Sequence, residues 1–169
     1  MASQEIIKGK TDTLFAPKAD LTRAEFAALL VRTLELPLTD YEGTFTDADP
    51  SNTWASKEIE AAARAGIVLG LPNNRFDPKA PISRQDTAVM IIRAVEYQEA
   101  SLLEGLDTTH KFADNAKIKA YASESVQQAY ALGLITGRDN NIFDPLAKIT
   151  RAETAAVPYR ALEKMELLN

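Results

Sequence analysis

Three arginines stand in the same short setting, each preceded by a hydroxyl residue and followed two places on by an acid: Thr22-Arg23-Ala24-Glu25, Ser83-Arg84-Gln85-Asp86 and Thr150-Arg151-Ala152-Glu153. The hydroxyl and the acid match a capping box, in which the hydroxyl accepts from the backbone N–H of the fourth residue and the acid reaches back to the first. Thr22 with Glu25 and Thr150 with Glu153 therefore read as helix caps. Ser83 with Asp86 is the same device with a shorter acid. Capping does not call for the arginine, whose charge lies at the unfavourable end of the helix dipole. One reading pairs it with a neighbouring carboxylate, such as that of Phe45-x-Asp47 or Phe112-x-Asp114, and pins adjacent repeats. The other makes it an anion site, a guanidinium fork beside the exposed N–H groups of a helix start. Both can hold, the pairing shaping the site.

The boxes belong to a longer repeated word. Gly9, Gly70 and Gly137 each lie six residues before Phe15, Phe76 and Phe143, and each Phe lies eight before its arginine. Upstream, Phe45, Asp47, Trp54 and Gly66 answer at one offset to Phe112, Asp114, Tyr121 and Gly133. Fixed spacing of this kind is the mark of a repeat architecture. The repeats fall at 45–97 and 112–166, with a partial first copy at 5–37, within one domain over 1–169. The first copy lacks the Phe-x-Asp and the aromatic-led helix and reads as cut, so a dimer or a swapped contact is expected there.

Each full repeat reads as helix, connector, helix. First helices are expected over about 54–65 and 121–132, the former closed by Gly66. Second helices are expected over about 23–36, 84–97 and 151–167, with Phe26, Leu29, Leu30 and Leu34 at helical spacing. Linkers fall near 38–44 and 98–111. Pro158 sits inside the last helix and predicts a kink or restart. Asn73-Asn74 suits a tight turn, with small β-bridges nearby. No helix pair buries its own apolar face, so the long second helices should meet around a common axis. The fold class is all-α: pseudo-threefold helix-loop-helix repeats around a central helical bundle.

Trp54 and Tyr121 either cover core or offer a flat face to a sugar ring. The glycines serve turn geometry, and also let a ligand approach the backbone. The net charge of −5, with no basic run, argues against nucleic acid. The chain has no Cys, which excludes disulfides and thiol chemistry and suits the cytosol or a Gram-positive exterior. No stretch is long or apolar enough to cross a bilayer, and the opening Met-Ala-Ser-Gln does not read as a signal peptide. The single His110 falls in a linker and reads as a solvated loop residue. Asp47, Asp77, Asp114 and Asp144 read as caps and turns, and residues 138–141 lack the alternating oxygen ligands of a calcium loop. Neither an enzyme, nor a cofactor, nor a metal site is expected.

On Phe45-Thr-Asp47, Trp54-Ala55, Gly66-Ile67-Val68-Leu69-Gly70, Phe76-Asp-Pro78 and Thr22-Arg23-Ala24-Glu25, the chain resembles the S-layer homology domain, and the resemblance covers nearly all of it outside the two linkers. The resemblance implies a three-pronged spindle. It also implies extracellular, non-covalent anchoring to secondary cell wall polymer of a Gram-positive or related bacterium, often through a pyruvylated terminal N-acetylmannosamine. Arg23, Arg84 and Arg151 would then contact the ketal carboxylate, with Trp54 and Tyr121 as groove aromatics and Gly9, Gly70 and Gly137 as loop glycines. The alternative function is a protein-protein interaction scaffold of a surface-layer assembly.

Overall fold

Each hydroxyl box opens a helix in the computed structural model, which describes residues 20–165. Helix α1 (Arg23–Thr33) and helix α5 (Arg151–Lys164) begin with reciprocal capping boxes, Thr22 with Glu25 and Thr150 with Glu153. Helix α3 (Arg84–Glu99) begins with Ser83 accepting from the Asp86 amide. Between them lie α2 (Ser56–Arg64) and α4 (Ala120–Ala131). Among the described residues the rest is turns, short 3-10 segments and isolated bridges, with no sheet, so the molecule is all-α.

The helices α1, α3 and α5 each touch the other two and make the centre. Their N-terminal ends are tied by a closed ring of backbone hydrogen bonds. Leu21 donates to Ile149 (3.1 Å), Ile149 to Ile82 (3.3 Å) and Ile82 to Leu21 (2.8 Å). All three side chains are buried. The ring gives each box the same orientation to the next.

The outer helices pair across repeats: α2 packs on α1, and α4 on α3. A prong is thus the second helix of one repeat and the first helix of the following one. Phe26, Phe76 and Phe143 fill the core with no exposed surface. Burying a ring of that size contributes about 2–3 kcal/mol.

The connectors carry the local strain. Asn73 and Asn74, like Asn140 and Asn141, both take positive φ, and Asp77 and Asp144 follow at φ 60° and 61°. Asn and Asp tolerate this region better than other non-glycine residues. The Phe-x-Asp carboxylates hold the turn: Asp47 accepts from the Phe76 and Asp77 amides at 2.8 and 2.9 Å, and Asp114 from Phe143 and Asp144 at 2.9 and 2.8 Å.

Three expectations need correction. The last helix does not restart at Pro158: α5 runs unbroken through it from Arg151 to Lys164, a proline costing a helix one N–H donor. The stretch 98–111 is not all linker: α3 runs to Glu99 and a 3-10 turn, Ala100–Leu103, packs back on it. His110 lies in a loop as expected but is half-buried and held by partners rather than freely solvated. It stacks on Tyr130 at 4.3 Å, meets Phe112 edge-on and bonds Asn141 at 2.8 Å. Among the described residues no helix is long and apolar enough to cross a membrane.

Candidate functional site

The three box arginines form a circuit between repeats. Arg23 donates from Nη1 to Asp86 Oδ2 at 3.0 Å and from Nε to the Phe76 carbonyl at 2.8 Å. Arg84 repeats this one box on, with Nη1 3.4 Å from Glu153 Oε2 and Nε 2.8 Å from the Phe143 carbonyl. Its Nη2 adds the Thr136 carbonyl at 2.7 Å. Arg151 closes the circuit on Glu25. The first two guanidiniums also lie over the Phe76 and Phe143 rings, at 4.9 and 5.0 Å. Each box acid therefore serves its own helix or its neighbour's arginine, or both.

This corrects the choice of partner. The Phe-x-Asp carboxylates do not take the box arginines: they hold the backbone amides of the connectors, and Asp47 also meets Arg75 at 3.6 Å. Burial on its own would raise the pKa of Asp47 and Asp114. The amide bonds outweigh it, with Arg75 and Lys117 nearby, and hold both carboxyls below the ordinary aspartate value. Arg84 is pushed down from the usual arginine value by burial first and by Arg138 second.

Access to the circuit is uneven. Side-chain exposure is 11% for Arg23, 5% for Arg84 and 2% for Arg151. Arg23 borders a cavity of about 340 Å³ between the start of α1, the connector after α2, and α3. Its floor includes Asp86 and Met90, and its walls Gly70, Arg93 and Tyr121. Leu69 and Leu71 form an exposed apolar rim. Arg84 borders a second cleft of about 230 Å³, with Thr136, Glu153, Val157 and Arg160. Arg151 is sealed against Glu25.

Tyr121 stands in the first turn of α4, more than half exposed, and donates its hydroxyl to Asp86. Burial, and next that bond, push its pKa upward. Gln85 donates to the same oxygen at 3.4 Å. Trp54 precedes α2 by two residues and is half exposed, with the Arg32 guanidinium over its ring at 5.5 Å. It does not line the Arg23 cavity.

Of the three loop glycines Gly9, Gly70 and Gly137, the latter two have packing reasons. Gly70 takes φ +79°, and a Cβ there would lie 2.2 Å from Phe45 Cε1. Gly137 has no positive φ, but its Cβ would lie 2.8 Å from Phe112 Cε1. In both the missing side chain makes room for the Phe of the Phe-x-Asp pair. Gly9 lies outside the described residues.

Residue spacing held a signal that the motif reading missed. Arg32, Arg93 and Arg160 each follow a box arginine by nine places. Arg93 and Arg160 line the two cavities. Arg32 pairs with Glu58 at 2.9 Å.

The sequence pattern of the S-layer homology domain matches residues 1–27, 44–88 and 111–155. An amylopullulanase of Thermoanaerobacterium thermosulfurigenes is 38% identical over 164 residues, which is 97% of this chain and 9% of that protein. An endoglucanase of Bacillus sp. (strain KSM-635) is 38% identical over 162 residues, 96% of this chain and 17% of that protein. A surface-layer 125 kDa protein of Lysinibacillus sphaericus is 30% identical over 165 residues, 95% of this chain and 13% of that protein. The chain thus spans less than a fifth of the length of these relatives.

Proposed function

The chain belongs to the S-layer homology domain family, and on that premise we propose that it anchors a protein non-covalently to the bacterial cell wall by binding secondary cell wall polymer in the clefts between its repeats. It is a wall-associated, cell-surface module of the Gram-positive kind and supplies attachment, not catalysis. The relatives include proteins named for glycoside hydrolysis and a surface-layer protein, and each carries the matching stretch as a small part of its length. A shared segment in proteins with different names fits a shared means of attachment.

The ligand we propose is an acidic end sugar, a pyruvylated N-acetylmannosamine. The observation that carries this reading is the Arg23 cavity. An acidic chain binds an acidic glycan only where positive charge is local and directed. This cavity is lined by two guanidinium groups, the Asp86 carboxylate and the exposed Tyr121 around about 340 Å³. That volume is at the lower end for ligand clefts and suits a single sugar residue more than an extended chain. A charge-assisted hydrogen bond there contributes about 1.5–3 kcal/mol. Several weak clefts engaged together on one polymer raise the apparent affinity without any new contact.

Co-sedimentation tests the proposal. The protein should pellet with purified sacculi and remain in the supernatant once the polymer has been stripped with acid. Equal pelleting with both preparations would end the polymer reading.

A further inference from the structure

The box arginine of the larger cavity is already committed. Arg23 spends its guanidinium on Asp86, on the Phe76 carbonyl and on the Phe76 ring. Across the same cavity stands Arg93, half-buried on α3. Among the described residues Arg93 makes no side-chain hydrogen bond or ion pair. Its two counterparts are engaged: Arg32 holds Glu58 at 2.9 Å and stacks on Trp54, and Arg160 reaches the Leu134 carbonyl at 3.5 Å.

The repeat itself explains why Arg93 is left over. Helix α4 packs on α3 as α2 packs on α1. Glu58, which neutralises Arg32 from α2, sits four residues after Trp54. Four residues after Tyr121, at the equivalent place on α4, stands Ser125. A serine is uncharged and too short to reproduce the ion pair. The exchange of acid for serine strips Arg93 of its partner and leaves its charge facing the cavity.

We propose that Arg93 reads the carboxylate of the bound sugar alongside the box arginine Arg23, and that Ser125 is the specificity-determining position that keeps Arg93 available. Arg23 also positions: it fixes Asp86 and the Phe76 connector, and so the wall against which the sugar lies. This rests on the wall-polymer reading for its ligand class, but it turns on a separate measurement. A guanidinium with no internal partner presents its full fork to a carboxylate. Arg23 gives part of its fork to Asp86 and to the Phe76 carbonyl and has less of it to offer the same carboxylate.

The test is calorimetric titration of the whole chain with two monosaccharides, 4,6-pyruvylated N-acetylmannosamine and unmodified N-acetylmannosamine. The wild type should favour the acid, and Arg93→Gln should lose about tenfold in affinity for it with little change toward the neutral sugar. Ser125→Glu should copy the Arg32–Glu58 pair and give the same loss, with a melting temperature equal to or above that of the wild type. That second variant separates charge from folding. Unchanged affinity for the acid in both variants would overturn the assignment, as would an equal fall for both sugars. Failure of the wild type to pellet with sacculi is a different result and counts against the wall reading alone.

Discussion

The two described clefts are built from the same repeated word and are not alike. In both, a box arginine donates to the Phe carbonyl of the next repeat and lies over that Phe ring. The walls differ. The Arg23 cavity has Leu69 and Leu71 on its rim; at the equivalent positions Thr136 lines the Arg84 cleft and Arg138 pairs with Glu153. Tyr121 closes one side of the first, supplied by the helix that packs on α3. The acids differ too. Glu153 both caps Thr150 and takes Arg84 and Arg138, at 3.4 and 3.6 Å. Asp86, one methylene shorter, does not complete a capping box and gives its oxygens to Arg23 and Tyr121 instead. A conserved backbone ring sets where the arginines stand, while single side chains from neighbouring repeats decide whether a cleft is apolar-rimmed and open or crowded with its own charges.

The largest difference should appear in stability. Arg84→Ala removes the donor of the buried Phe143 carbonyl, the donor of the Thr136 carbonyl and one of the two arginines on Glu153, and should cost about 2–4 kcal/mol. Arg23→Ala removes the donor of one carbonyl only, and Asp86 keeps the Tyr121 hydroxyl, so it should cost about 1–3 kcal/mol. Equal losses in denaturant unfolding would erase the distinction between a structural and an accessible arginine. Next come the glycines. Gly70→Ala combines a left-handed backbone with an overlap on Phe45 and should cost about 2–5 kcal/mol. Gly137→Ala meets only the closer packing of Phe112 and should cost about 1–3 kcal/mol. A larger fall in melting temperature for Gly137→Ala than for Gly70→Ala would reverse this order.

Much of the architecture was legible because it is local. A hydroxyl and an acid three places apart cap a helix whatever surrounds them, and Asn-Asn turns the chain by its own conformational preference. Long-range partners were not legible. Arg23 meets Asp86 because of the rotation of one repeat against the next about the central ring, and no local pattern encodes that angle. The pairing of α2 with α1 rather than with α3 has the same origin. Arg93 was hidden for another reason: it falls within an apolar helix, where a single cation reads as the solvent face, and only alignment with Arg32 and Arg160 sets it apart. The contacts of His110 were hidden because Tyr130 and Asn141 lie 20 and 31 residues away.

A further pair of variants probes what the two clefts share. Asp47 and Asp114 staple equivalent connectors, so Asp47→Asn and Asp114→Asn should each cost about 1.5–3 kcal/mol, and by similar amounts. Both carboxyls have folded-state pKa values below the unfolded value of 3.8. A depressed pKa means that the unfolded chain takes up protons first as pH falls. The stability they contribute is therefore complete well above pH 4 and drains away through and below it. Each Asn variant should flatten that acid limb in unfolding followed from pH 6 to pH 2. An unchanged limb in either variant would show that its connector is held by something else.

The smallest effect belongs to Tyr121, and it should be confined to one cleft. Tyr121→Phe keeps the ring and removes the hydroxyl that donates to Asp86, so stability should fall by only about 0.5–1.5 kcal/mol. Asp86 would retain Arg23 but regain a free oxygen facing the cavity. Its negative charge, no longer shared with a phenol, would then oppose an acidic sugar more strongly. The expected signature is a modest weakening toward the pyruvylated monosaccharide and none toward the neutral one. An equal loss toward both sugars would instead assign Tyr121 to stacking or shape, and would place the anion selectivity of this cleft wholly on its guanidinium groups.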